Sequence, residues 1–218
     1  MNRDLKDKGY FVIKKFFSKQ DVDAMRSISI PFFKKGGGFK NSGGVAKPDW
    51  IKEESLSGLL SLCDIDRIKS AVSKEVGEEV FFIEHNDLHI NRSVGWHKDR
   101  LNGKTRAFEK TNPWTSVNGE TMKIFKVNIY LQDHKIKKNG LIVKEGSHLS
   151  SSMNAGSIIP IESEVGDLVL FDQRITHQAR TATSNDRVLI CFGFGVKNIF
   201  FDEFKAGTIF RQEQQSRR

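Results

Sequence analysis

Downstream of Gly77 the chain breaks into six short apolar runs, and this punctuation is its strongest constraint on folding. They are "EVFFIEHNDLHIN" (79–91), "MKIFKVNIYLQ" (122–132), "GLIVKE" (140–145), "GSIIPI" (156–161), "GDLVLFDQ" (166–173) and "RVLICFGFGV" (187–196). Each is of strand length, and Gly, Asn or charged turns separate them. Strands clustered after a helical N-terminal third predict a β-sandwich or barrel with helices packed outside.

Ahead of them, "GYFVIKKFF" (9–17) reads as a β-rich run ending at Ser18, where "SKQD" satisfies a capping box for a helix through about Arg26. "KKGGGFKNSGGVAKPDW" (34–50) reads as a Gly-rich loop, without the Gly-Lys-Ser/Thr ending of a phosphate loop. Leu56, Leu59, Leu60, Ile65, Ile68 and Val72 have helical spacing, with a break near Asp64. A length of 218 residues suits one domain. Its expected parts are an N-terminal support over about 1–77, a β core over about 78–196 and a tail over 197–218. In that tail Phe200, Phe201, Phe204, Ile209 and Phe210 need cover from the barrel, the site or a second subunit.

Composition narrows the function classes. No apolar stretch approaches the roughly 18 residues that span a membrane. "MNRDLKDKGY" lacks the hydrophobic segment of a signal peptide. The 2 cysteines, Cys63 and Cys191, provide no disulfide framework or paired-cysteine zinc spacing, so a soluble, cytoplasmic protein is expected. A formal charge of +8 favours anionic partners, although the basic residues are spread along the chain rather than gathered in one run.

Chemistry enters at "SVGWHKDRLNG", where His97 and Asp99 stand two residues apart. His85 and Asp87 have the same spacing. On a strand, residues i and i+2 face one side, so either pair could offer two ligands to one ion, and spacing does not choose between them. A mononuclear iron(II) site handling dioxygen uses two imidazoles and one carboxylate on one face, leaving open positions. His134, His148 and His177 are the candidates for the second imidazole. In "GDLVLFDQRITH", Val169, Phe171, Gln173, Ile175 and His177 share one parity, which would deliver His177 to the barrel mouth. Arg187 opens the next strand, and a buried guanidinium there would pair bidentately with a carboxylate.

These segments, in order, resemble the phytanoyl-CoA dioxygenase family of Fe(II)/2-oxoglutarate oxygenases. "LKDKGYFVIKKFFSKQDVDAM" is similar to the family's opening strand and helix, and "HNDLHINRSVGWHKD" to its strand leading into Trp-His-x-Asp. "FKVNIYLQDHKIKKNGLIVKEGSH" resembles its strand, turn and Gly-Ser-His segment, and "GDLVLFDQRITHQARTATSNDR" its distal-histidine strand and following arginine. The resemblance reaches from about residue 5 to residue 194. It implies a mainly β double-stranded β-helix (jelly-roll, cupin-like) core with N-terminal helices. His97, Asp99 and His177 would hold iron, Arg187 would grip the distal carboxylate of 2-oxoglutarate, and Leu88 and Asn128 would line its pocket. His148 belongs to a structural turn in the family. Ala179 departs from the family, standing where a small hydroxyl residue often supports the co-substrate carboxylate.

The implied reaction consumes 2-oxoglutarate and dioxygen, releases succinate and carbon dioxide, and by default hydroxylates an unactivated C–H bond. Asp99 argues against halogenation, since the family's halogenases carry Gly or Ala there; desaturation, ring closure and epimerisation stay open. The long basic segment "RLNGKTRAFEKTNPWTSVNGETMK" is expected to close over a small anionic substrate, with Arg106 as anchor beside Arg100 and Trp114. Two other classes are weighed. A nucleic-acid-directed oxygenase would want a second arginine where Gly193 stands, and the chain shows no concentrated basic stripe with aromatics. A non-catalytic or zinc-holding β-helix would accept the same three ligands but has no need of the arginine. Oligomeric state is not legible.

Overall fold

In the computed structural model, residues 1–218 are described except 42, 100, 102–106, 134–139, 180–185 and 217–218. The N-terminal part runs α1 (Arg3–Asp7), β1 (Tyr10–Ile13), α2 (Lys19–Lys34), β2 (Phe39–Asn41), β3 (Gly44–Pro48), α3 (Ser57–Cys63) and α4 (Ile65–Val76). The β-rich part runs β4 (Phe81–Ile90), β5 (Val94–His97), β6 (Ile124–Tyr130), β7 (Leu141–Glu145), β8 (Ser157–Pro160), β9 (Leu168–Asp172), β10 (Thr176–Ala179) and β11 (Val188–Gly195). Helix α5 (Ile199–Ser216) follows.

Two antiparallel sheets form, a seven-stranded one ordered β1-β9-β6-β11-β4-β3-β2 and a four-stranded one ordered β5-β10-β7-β8. From β4 onward the chain passes back and forth between them, giving the double-stranded β-helix that the family resemblance implies. The period-2 alternation of the large sheet explains its two faces. Val188, Ile190, Phe192 and Phe194 of β11 point outward, into the core shared with α2, α3 and α4. On the other face Tyr130, Val169 and Phe171 meet Leu141 and Val143 of the small sheet. No helix among the described residues is long and apolar enough to cross a membrane.

Several local expectations change. The capping box at Ser18 forms, its hydroxyl accepting from Asp21 N at 3.1 Å, but α2 runs on to Lys34 through Pro31. Val22, Met25, Ser29 and Phe33 keep a buried stripe at helical spacing, and that burial outweighs the one backbone bond that Pro31 removes. The stretch read as a Gly-rich loop is largely the β2–β3 hairpin, added to β4 at the sheet edge. Glycine is needed there: a Cβ on Gly44 would lie 2.2 Å from the Ile90 carbonyl oxygen. The break at Asp64 is real, with φ of 48° and its carboxylate capping Arg67 N at 3.1 Å.

The tail is helical and docks on the barrel. Phe200, Phe201 and Phe204 bury beside Phe108, Met122 and Ile124, whereas Phe210 is 64% exposed. Glu203 accepts from the backbone N–H groups of Glu109, Lys110 and Thr111, so α5 also pins the long segment after Asp99.

Candidate metal centre and co-substrate pocket

Strands β5 and β10 pair antiparallel with His97 opposite His177, which sets the two rings 4.2 Å apart, centroid to centroid. Asp99 lies just beyond β5, and ligand atoms of His97, Asp99 and His177 all fall within 4.8 Å of one another. His177 does not arrive by continuation of the preceding strand, as its parity suggested. Strand β9 stops at Asp172, a turn closed by Ile175 N on the Asp172 carbonyl (3.0 Å) reverses the chain, and β10 belongs to the other sheet.

The local chain holds these ligands in advance. Lys98, between His97 and Asp99, is buried and donates to the carbonyls of Ser147 (2.8 Å) and Arg174 (2.7 Å). That cross-links the end of β5 to the turn entering β10. Burial, opposed by Asp172, brings the Lys98 ammonium down to about 8. Gln173 Nε2 donates to the Asp99 carbonyl at 3.2 Å. Sequence reading saw neither tie, because both join residues far apart in the chain.

Ring orientation decides what the triad can do. His97 Nδ1 faces the Gly95 carbonyl at 2.8 Å, and His177 Nδ1 faces the Ile175 carbonyl at 3.1 Å. A carbonyl only accepts, so each Nδ1 carries a proton and each ring turns its Nε2 inward. Those nitrogens meet carboxylate oxygens, His97 Nε2 on Asp99 Oδ1 at 3.1 Å and His177 Nε2 on Oδ2 at 3.5 Å. A metal ion takes the Nε2 lone pair of a neutral ring, so an ion shared with the carboxylate suits this arrangement. Two ligand atoms each about 2.1 Å from a divalent ion, at right angles, would stand about 3.0 Å apart. The donor set and its spacing therefore fit an ion bound on one face.

A second cation source is already present. Lys126, buried on β6, donates to Asp99 Oδ2 at 2.5 Å. Burial alone would raise the Asp99 carboxyl; Lys126 and then His177 outweigh it and hold Asp99 well below the usual range. Burial, and then the neighbouring His97, lower His177. Lys126 escaped the sequence reading because a lysine in "KIFKVNIY" looks like an ordinary outward position.

The competing His85-x-Asp87 pair is committed elsewhere. Arg211 of α5 grips Asp87 with both Nη atoms, at 2.9 and 3.1 Å, and His85 Nε2 contacts the same carboxylate at 3.1 Å. His148 is also structural, its Nε2 on the Lys6 carbonyl at 2.9 Å. His134 lies outside the described residues.

From the triad a cleft runs between the sheets to Arg187, past Asn128, Tyr130, Ala179 and Leu189. Arg187 is 6% exposed; its backbone N–H donates to Asn91 Oδ1 at 2.8 Å and its Nη2 to the Arg92 carbonyl. Burial lowers its pKa. Asn128 Nδ2 donates to the Tyr130 hydroxyl at 3.2 Å, and its buried Oδ1 has no partner among the described residues.

Two expectations need correction. Leu88 is not in the cleft. On β4 the odd residues His85, Asp87 and His89 face inward, so Leu88 packs into the helix-facing core with no exposure, and His89 lines the pocket instead. Trp114 is not among the cleft residues either: its indole N–H donates to the His148 carbonyl at 3.2 Å and its ring lies 5.6 Å from Lys98 Nζ. Arg100 and Arg106 lie outside the described residues.

Neither a family model nor a curated protein sequence matches the chain. Solved structures do. AviO1 from Streptomyces viridochromogenes Tue57 superposes with a TM-score of 0.68 at 15% identity, over 88% of this chain and 92% of that one. SnoN, a non-heme alpha ketoglutarate dependent epimerase from nogalamycin biosynthesis, gives 0.70 at 13% identity, over 88% and 79%. HygX from Streptomyces hygroscopicus, solved with nickel and 2-oxoglutarate bound, gives 0.64 at 18% identity, over 88% and 84%. What these chains share at such identities is the fold.

Proposed function

We propose that the protein is a non-haem Fe(II)/2-oxoglutarate-dependent oxygenase of the phytanoyl-CoA dioxygenase type, acting in the cytoplasm on a small anionic metabolite. The observation that carries this reading is the convergence of two inward Nε2 atoms and one carboxylate at the head of a cleft that ends on a buried arginine. The similar folds point the same way, since HygX is described with 2-oxoglutarate and SnoN as alpha ketoglutarate dependent.

When bound, iron(II) with 2-oxoglutarate supplies the oxygen-activating chemistry. The chain's own residues do the rest. His97, Asp99 and His177 would hold the ion at the head of the cleft. Arg187 seats the distal carboxylate of the diacid, with the Tyr130 hydroxyl beside it. Lys126, Arg92 and Arg187 against Asp99 leave the cleft with an excess of two positive charges before any ion is bound, and a divalent ion would add two more, which suits a dianion. The apolar walls, Leu141 and Leu189 among them, limit water around the reacting centre. With Asp99 as third ligand halogenation is disfavoured, and hydroxylation of an unactivated C–H bond is the reaction we propose.

The test is succinate formation from 2-oxoglutarate by purified protein, with and without iron(II), in air. Iron-dependent succinate that disappears in His97→Ala supports the reading. Metal binding without any 2-oxoglutarate turnover across a panel of anionic metabolites sinks it.

A further inference from the structure

The Arg187 end of the cleft holds a second guanidinium, to which the functional reading gives no contact with the co-substrate. Arg92, in the turn between β4 and β5, lines the cleft together with Arg187, and its own carbonyl accepts from Arg187 Nη2, so the two residues are locked side by side. No carboxylate pairs with Arg92 among the described residues. Its Nη1 donates to His89 Nε2 at 3.3 Å, and its Nε is buried with no hydrogen-bond partner there. His89 can accept because it stays neutral: burial, and then Arg92 itself, bring its pKa down to about 3. A guanidinium buried at one nitrogen, beside another arginine and without an acidic partner, is an unfinished arrangement. An anion entering the cleft completes it.

We propose that Arg92 is a second anchor for the distal carboxylate of the 2-oxo acid and makes the pocket selective for a dicarboxylic co-substrate over a monocarboxylic one. This inference rests on the oxygenase reading above. His89 holds the Arg92 guanidinium in place from behind, and Arg187 and Arg92 approach one carboxylate from two sides. The arrangement supplies a charged donor on the pocket wall where Ala179 offers no hydroxyl. Charge-assisted hydrogen bonds of this kind are worth about 10- to 100-fold in affinity.

The experiment measures binding of two probes to nickel-loaded protein by calorimetry: 2-oxoglutarate, and 2-oxovalerate, which has the same chelating end but no distal carboxylate. In Arg92→Met, 2-oxoglutarate affinity should fall at least 10-fold, while 2-oxovalerate and nickel affinities stay within about twofold. Arg92→Lys should recover part of the loss. Equal loss for both probes means that Arg92 only supports the fold, and unchanged 2-oxoglutarate affinity means that it does not touch the co-substrate; either overturns the inference. If wild-type protein loaded with nickel binds no 2-oxoglutarate, the oxygenase reading itself has failed. Should Arg92→Met not fold, Arg92→Gln provides the same comparison.

Discussion

Replacing Lys126 with Met asks what neutralises Asp99 before any ion arrives. Lys126 and Asp99 expose only 10% and 15% of their side chains, and 2.5 Å separates ammonium from carboxylate. Removing one member of a buried pair and leaving the other charged costs about 3–5 kcal/mol. For a chain of this length that is a fall of roughly 6–20 °C in melting temperature, at about 2–4 °C per kcal/mol. Among the described residues the other side chains facing that carboxylate are the two imidazoles, which add no charge when unprotonated, so the comparison belongs at about pH 8, above the ordinary histidine range. A divalent ion should reverse the deficit, because it supplies the missing charge and no longer meets a nearby ammonium. Metal-free Lys126→Met should therefore melt well below wild type, and nickel should raise its melting temperature more than it raises the wild-type value. Thermal melts with and without nickel, read by circular dichroism, decide the matter. A metal-free variant as stable as wild type would refute the reasoning, because Asp99 would then not depend on Lys126.

Two further outcomes follow from other buried charges. Arg211→Met strands Asp87 beneath α5 and should cost about 3–5 kcal/mol in urea unfolding, while the double variant with Asp87→Leu recovers most of it; additive losses would contradict the pairing. His85 and His89 are held neutral, chiefly by burial, so their folded pKa values lie below the roughly 6.5 of an unfolded chain. As pH falls below about 6.5 the unfolded state takes up protons first. Stability should be full above that pH and decline below it, the His89 share continuing toward about pH 3 at about 1.4 kcal/mol per pH unit; His89→Gln should flatten the slope, and an unchanged slope would count against a neutral buried His89.

How much of this was legible in the sequence depends on the range of the interactions. The six apolar runs mark β4, β6, β7, β8, β9 and β11, because each carries its own burial signal. Strands β5 (Val94–His97) and β10 (Thr176–Ala179) escape as separate elements, because four residues of mixed polarity carry no period. They are the strands that hold the ligands, and only the ordered family resemblance singled out His97, Asp99 and His177. Leu88 was misplaced by one residue, the smallest slip possible on a strand and enough to move a side chain from cleft to core. Lys98, Lys126 and the Arg211–Asp87 clamp depend on partners distant in the chain, so no local pattern announces them.

The most direct measurement is an anaerobic titration of iron(II)-loaded protein with 2-oxoglutarate, followed in the visible region. A weak charge-transfer band that grows to saturation, and is missing in His177→Ala, is the expected result. Iron that binds without any such band, or a band undiminished in the variant, would contradict the metal centre described above.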